Sequence, residues 1–268
     1  MKRVAWGIRF FLLMAGYKYK AYFAYQGWTG IFSIISMISG YFGGLSVVWA
    51  RMRVFPSLGG FTFWEVVLLY SLELLCYSLA NTLMRMFWNT QSLVLKGELD
   101  AYLVWPCRPL VGVSARYFEA GYAGHIALAL VLAILAQAQL GLRWGLLDWL
   151  LFAGGVAGGT GIYIGFTSLP SILAFWYGNT NMLASIFRFG FREIIYYPLP
   201  IYPAVIRILL TFVLPYAFIT YYPSLDLLGK SGDMAGFVIL SLCIGAVMIA
   251  LTVAAWSKGL KRYESAGG

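Results

Sequence analysis

Six apolar runs, each about as long as a membrane-crossing helix, constrain this chain more than any other feature. They fall at roughly 29–50, 62–83, 117–139, 148–170, 204–222 and 234–256. A hydrocarbon layer of ~30 Å takes about 20 helical residues to cross. In lipid a helix satisfies every backbone hydrogen bond within its own segment, which an open strand cannot do. Only 11% of the 268 residues are charged, against ~25% in soluble domains, and the mean hydropathy is +0.79. So much apolar surface does not fit inside one aqueous core. The reading is an all-α integral membrane protein, a single domain over residues 1–268 with six transmembrane helices. The fifth run carries Pro215, which is expected to kink it.

Basic residues orient the runs, because short cytoplasmic connections are enriched in Lys and Arg. One side receives Lys2, Arg3, Arg9, Lys18 and Lys20, then Arg85, Lys96, Arg108 and Arg116, then Arg188, Arg192 and Arg207, and last Lys258, Lys261 and Arg262. The other side has only Arg51, Arg53, Arg143 and Lys230. Both termini are therefore expected in the cytoplasm. The net charge of +9 follows from topology rather than from a nucleic-acid groove, since the basic residues are scattered beside apolar runs.

The first twenty residues do not read as a cleavable signal, because Arg9, Lys18 and Lys20 interrupt any apolar core and no small-residue cleavage site follows. Val4, Ile8, Phe11, Leu12, Ala15 and Tyr19 recur at helical spacing, with Lys2, Arg9 and Lys20 turned away. That pattern suits an amphipathic helix over 2–20 lying in the membrane interface ahead of the first span; a disordered basic leader is the other reading.

Chemistry-bearing residues are sparse. Glu73 lies near the middle of the second run, where an ionisable group is costly and marks either a transport path or a hydrogen-bonded structural carboxyl. Asn81 and His125 are weaker candidates for the same path, and His125 also reads as a satisfied buried histidine. With one histidine and with Cys76, Cys107 and Cys243 widely scattered, no metal site and no disulfide framework is expected. Gly229-Lys230-Ser231 lacks the first glycine of a phosphate loop, having Ser224 in its place. No nucleophile and base stand in a recognisable arrangement, so no catalytic residue is assigned. In the fourth run Gly154, Gly158, Gly161 and Gly165 form small-residue pairs for close helix packing, either static or moving.

The second and third runs are joined by a charged, proline-punctuated island within 85–110. It holds Lys96, Gly97, Glu98, Leu99, Asp100, Pro106, Arg108 and Pro109. It reads either as a handle for a cytoplasmic partner or as a solvated loop whose charges hold topology.

Three stretches carry a family resemblance. The first is Gly97, Leu99, Asp100, Leu103, Pro106, Pro109 and Leu110. The second is Tyr197, Pro198, Ile201, Tyr202 and Pro203 with Arg207, Leu210 and Pro215, then Tyr221, Tyr222 and Pro223. The third is Trp256, Lys258, Gly259, Leu260, Lys261, Arg262, Tyr263, Glu264, Ser265, Ala266 and Gly267. In these the chain resembles the permease subunits of type-2 ABC exporters, in the bacterial viologen-exporter-like group.

The resemblance implies an inner-membrane exporter subunit that is not itself an enzyme. It would pair with a second permease chain, in a homodimer or with a sister permease, and bind two ABC ATPase subunits. The 85–110 segment would be the coupling element. This chain would bind no cofactor, ATP and Mg being held by the partner ATPase. Such permeases often carry short re-entrant helices between the fifth and sixth spans; here the connection 223–233 is short, which leaves little room for one. A stand-alone proton-coupled transporter using Glu73 is the alternative.

Overall fold

The computed structural model describes residues 2–55, 57–190, 192–232 and 235–265, without the side chains of 2–5, 8, 23, 25–31, 33, 34, 37, 192 and 193. Val4, Ile8, Lys2, Arg3 and Arg192 of the charge and face patterns therefore lie outside the described side chains, and Ala266 and Gly267 lie outside the described residues.

Among the described residues the chain is helical, with one isolated bridge, Leu58 to Phe61. Helix α1 runs unbroken over Lys2–Val54. The predicted interfacial helix and first span are thus one helix, roughly 80 Å long. No proline occurs before Pro56, and single glycines cost a helix only about 1 kcal/mol each. The predicted apolar face also needs correction. Phe11, Ala15 and Tyr19 pack on Phe118 and Ala120, whereas Leu12 is 63% exposed.

The turn after α1 is compact. Gly59 and Gly60 have φ of +59° and +83°, and Leu58 and Phe61 exchange backbone hydrogen bonds of 3.0 and 3.1 Å. Two successive positive φ values define a hairpin turn that glycine adopts without strain. Helix α2, Phe63–Met84, begins where the Glu65 carboxylate accepts from the Thr62 amide at 2.9 Å. Helices α3 (Thr90–Leu95), α4 (Asp100–Leu103) and α5 (Pro109–Arg116) follow, then α6 (Ala123–Gln139) and α7 (Leu146–Ile172). Short pieces come next: α8 (Ala174–Tyr177), α9 (Asn181–Ser185), α10 (Arg192–Ile195), α11 (Ala204–Ile208) and α12 (Tyr221–Leu227). Helix α13, Gly236–Arg262, ends the fold.

Four helical stretches among the described residues are long and apolar enough to cross a membrane: Phe63–Leu95, Ala120–Gln139, Leu146–Tyr177 and Gly236–Arg262. The predicted fifth span, 204–222, is not one helix. It breaks at Leu214–Pro215 into Ala204–Val213 and Tyr216–Leu227, bent by 74°. Pro215 has no amide to continue the ladder, and the first piece closes with a wide turn in which Leu214 N donates to Leu209 O at 2.8 Å.

Contacts show where this bent pair begins and ends. A Cβ on Gly59 would meet Pro200 and Ile201 at 3.2 Å. At its far side Lys230 reaches Glu65 at 2.7 Å and Gly60 O at 3.3 Å. Residues 200–230 therefore leave the α1–α2 turn and return to it. The apex goes deep: the Tyr216 ring stacks 4.7 Å from Phe166, and its hydroxyl donates to Phe187 O at 3.3 Å. A turned-back element is thus present, upstream of the 223–233 connection where sequence left little room for one. Arg207 consequently lies at the α1–α2 turn end, not with the island's basic residues.

The passage between the two ends falls instead on residues 180–190 and 192–197. At the island end the Gln91 side chain bonds Asn179 and the Thr180 amide at 3.1 and 3.0 Å. At the other end the Arg51 guanidinium lies 5.2 Å from the Tyr197 ring centre.

The tightest packing joins α7 to α13. A Cβ on Gly158 would meet Ser241 at 2.5 Å, on Gly161 would meet Gly245 at 2.7 Å, on Gly165 would meet Met248 at 2.6 Å, and on Gly154 would meet Val238 at 3.0 Å. Gly155 and Gly159 face the other way, toward Pro223 and toward Cys76 and Ile219. One glycine-rich helix therefore seats α13 on one side and the bent pair on the other. The outer side of α13 exposes Ile239, Leu240, Val247, Ile249 and Leu251.

Candidate functional site

The island is a built structure. Arg85–Asn89 forms a short 3₁₀ turn, then α3 ends at Leu95 and the chain reverses at Gly97, whose φ is +69°. That reversal sends the Leu99 amide back to Leu93 O at 3.2 Å and buries Leu99 completely. Leu99 is thus an anchor of the island, not part of its surface. Pro109 opens α5 at its first position, where a missing amide costs nothing. Lys96, Glu98, Pro106 and Arg108 are exposed. Beside them Leu95, Leu103 and Val104 are also exposed, Val104 to 83%. Exposed aliphatic residues next to charges, at the end of a bundle rather than along its side, make a surface fit for a protein partner.

Asp100 has a second role. It accepts from Ser265 Oγ at 2.6 Å, so the chain's last described residue is bound to the island. The N-terminal part of α1 lies there too, with the Phe10 ring 6.1 Å from Trp105 and Phe11 5.8 Å from Phe118. Both ends of the described chain therefore sit at the island end of the bundle.

Between α1, α2, the start of α6 and the end of the 180–197 passage lies a cavity of about 490 Å³, within the usual range for small-molecule sites. Tyr41, Tyr70, Tyr77, Tyr122, Tyr196 and Tyr197 line it, together with His125 and Arg51. The heptad spacing of Tyr70 and Tyr77 places both on one face of α2. On α1 the sequence Gly40, Gly44, Val47 and Arg51 does the same. The rings hold one another edge to face: Tyr41 with Tyr70 at 6.0 Å and 77°, and Tyr77 with Tyr122 at 5.7 Å and 76°. His125 packs against Tyr41 and Tyr122 at 4.9 and 5.3 Å. Arg85 donates to the Tyr122 hydroxyl at 3.3 Å from the island side.

The three residues assigned to a path from sequence separate here. His125 is in the wall. Glu73, although between Tyr70 and Tyr77 on α2, is fully buried and is not part of the cavity lining. Asn81 is also outside it and donates to Tyr77 O at 2.8 Å. Gly154, Gly158, Gly161 and Gly165 belong to the α13 contact. The tyrosines and Arg51 were missed because aromatics near membrane edges ordinarily read as interfacial anchors. The spacing of Tyr70 with Tyr77 was the available signal.

A family model described as ABC-2 family transporter protein matches residues 35–267. No curated protein matches the chain, and no solved structure does. The match covers most of the chain, including the cavity, the island and the turned-back element. The chain therefore belongs to the ABC-2 transporter family and is a multi-pass membrane permease of an ABC transporter, the partner of an ABC ATPase.

Proposed function

We propose that this chain is the permease subunit of an exporter, driven by two separate ATPase subunits that dock on the 85–110 island. The observation that carries this is the island's form: a folded projection anchored by Leu99 and Gly97, presenting Leu103 and Val104 amid Lys96, Glu98 and Arg108. Closure of an ATPase dimer would move that projection as a rigid body and shift the helices between two arrangements. Arg85, Lys96, Arg108 and Arg116 on the island side, with Lys258, Lys261 and Arg262 at the chain's other end, support placing this side in the cytoplasm of a bacterial inner membrane. In this reading the chain crosses six times, with 180–197 as the fifth passage, and pairs with an identical or sister permease. ATP and Mg belong to the ATPase.

The test uses the chain coexpressed with its ATPase. The double variant Leu103→Asp/Val104→Asp is expected to lose the copurifying ATPase and ATP-driven transport in vesicles while its melting temperature is unchanged. Transport driven by a pH gradient alone, indifferent to ATP and lost in Glu73→Gln, would sink the reading.

A further inference from the structure

We propose that the tyrosine cavity binds a small aromatic anion, seated with its charged group against Arg51. This inference rests on the reading of the chain as a transport subunit and names the chemistry of what enters it. Tyrosine faces ordinarily attract cations, but two observations here favour the opposite charge. The lining already holds a cation of the protein itself, Arg51 over Tyr197 at 5.2 Å. No carboxylate lines the cavity among the described residues, so an incoming cation would meet a like charge with nothing to offset it. The same wall suits an anion: a guanidinium offers paired donors to a carboxylate or sulfonate, and a ring can slot between the aromatic walls.

The glycines of α1 make the room. A side chain at Gly44 would collide with the Tyr70 hydroxyl, 2.7 Å from the Cβ position, whereas Gly40 faces open space. Gly40→Leu therefore starts from a Cβ in open space at the cavity lining and extends into it, and in a helix it exchanges glycine for a better helix former.

Binding is measured on the purified full chain in nanodiscs, by equilibrium dialysis with naphthalene-2-sulfonate and with N-methylquinolinium. The assay needs neither ATPase nor transport, so its outcome is separate from that of the coupling reading. The sulfonate is expected to bind at least tenfold more tightly than the quinolinium. Arg51→Gln is expected to weaken the sulfonate about tenfold, the effect of losing one charge-assisted contact. Gly40→Leu is expected to abolish sulfonate binding with the melting temperature held or raised. Equal or tighter quinolinium binding, no saturable sulfonate binding, or sulfonate binding unaltered by either variant would overturn the proposal.

Discussion

Ser265 Oγ donates to Asp100 Oδ2 at 2.6 Å, joining the last described residue to the first residue of α4. The tail behind it is held by a run of rings: Tyr263 on Phe175 at 6.4 Å, Phe175 on Trp256 at 5.3 Å, and Trp256 on Phe87 at 5.6 Å. Asp100, which by sequence looked like an outward docking charge, thus has a partner inside its own chain. Any displacement of the island is shared with α13, and through the glycine contact with α7.

Loss of the Asp100 contact should free the tail. Asp100→Ala is expected to speed trypsin cleavage after Lys261 and Arg262 several-fold relative to wild type, while cleavage elsewhere is unchanged. Equal cleavage rates would show that the rings alone hold the tail.

The same clasp has a pH signature. Burial first, and then the Asp100 carboxylate beside it, push the Tyr263 phenol up to about 12. Its folded pKa lies above the ordinary value of 10.0, so its contribution is complete below pH 10 and is lost as pH rises toward 12. Tail protection from proteolysis by an alkali-tolerant protease is therefore expected to fall across that window. A tyrosinate absorbance titration of wild type minus Tyr263→Phe should show one transition near its upper end.

Glycines of α7 should differ sharply from those of α1. Gly158→Val places a Cβ 2.5 Å from Ser241 backbone and is expected to cost more than about 2 kcal/mol through overpacking. Gly43→Ala has nothing within 4 Å of its Cβ and should be neutral or stabilising by up to about 1 kcal/mol. Thermal melts of the two purified variants check the ranking.

Two acids at the other end of the bundle should likewise rank by burial. The buried Asp226 carboxylate accepts from the Val238 amide at 2.9 Å in the first turn of α13. Asp226→Ala is expected to cost about 1–2 kcal/mol, the size of a lost helix cap. The Glu65–Lys230 pair at 2.7 Å is partly solvated, and Lys230→Met is expected to cost less than about 1 kcal/mol. Denaturation in detergent distinguishes them.

The apolar runs 62–83, 148–170 and 234–256 fall on helices α2, α7 and α13, because a long uncharged run in a helix reports its solvent directly. Hydropathy read 204–222 as one kinked span, whereas the structure breaks this run at Leu214–Pro215 into two helices bent by 74°. Pro215 was visible in the sequence, but a kink and a sharp bend have the same composition. Of the side chains proposed for a path, only His125 reached the cavity wall. Glu73 did not: it is fully buried on α2 and lies outside the lining.

The sequence by itself determined the solvent, the helical class and the charged island, since each depends on local composition. Only the tertiary structure decided which apolar run stays one helix and which bends sharply, and which tyrosines share a cavity. Those outcomes rest on contacts between distant residues: Gly59 against Pro200, Lys230 with Glu65, Asp100 with Ser265. A membrane rewards any apolar helix equally wherever its ends lie. The ends are placed by the partners they meet.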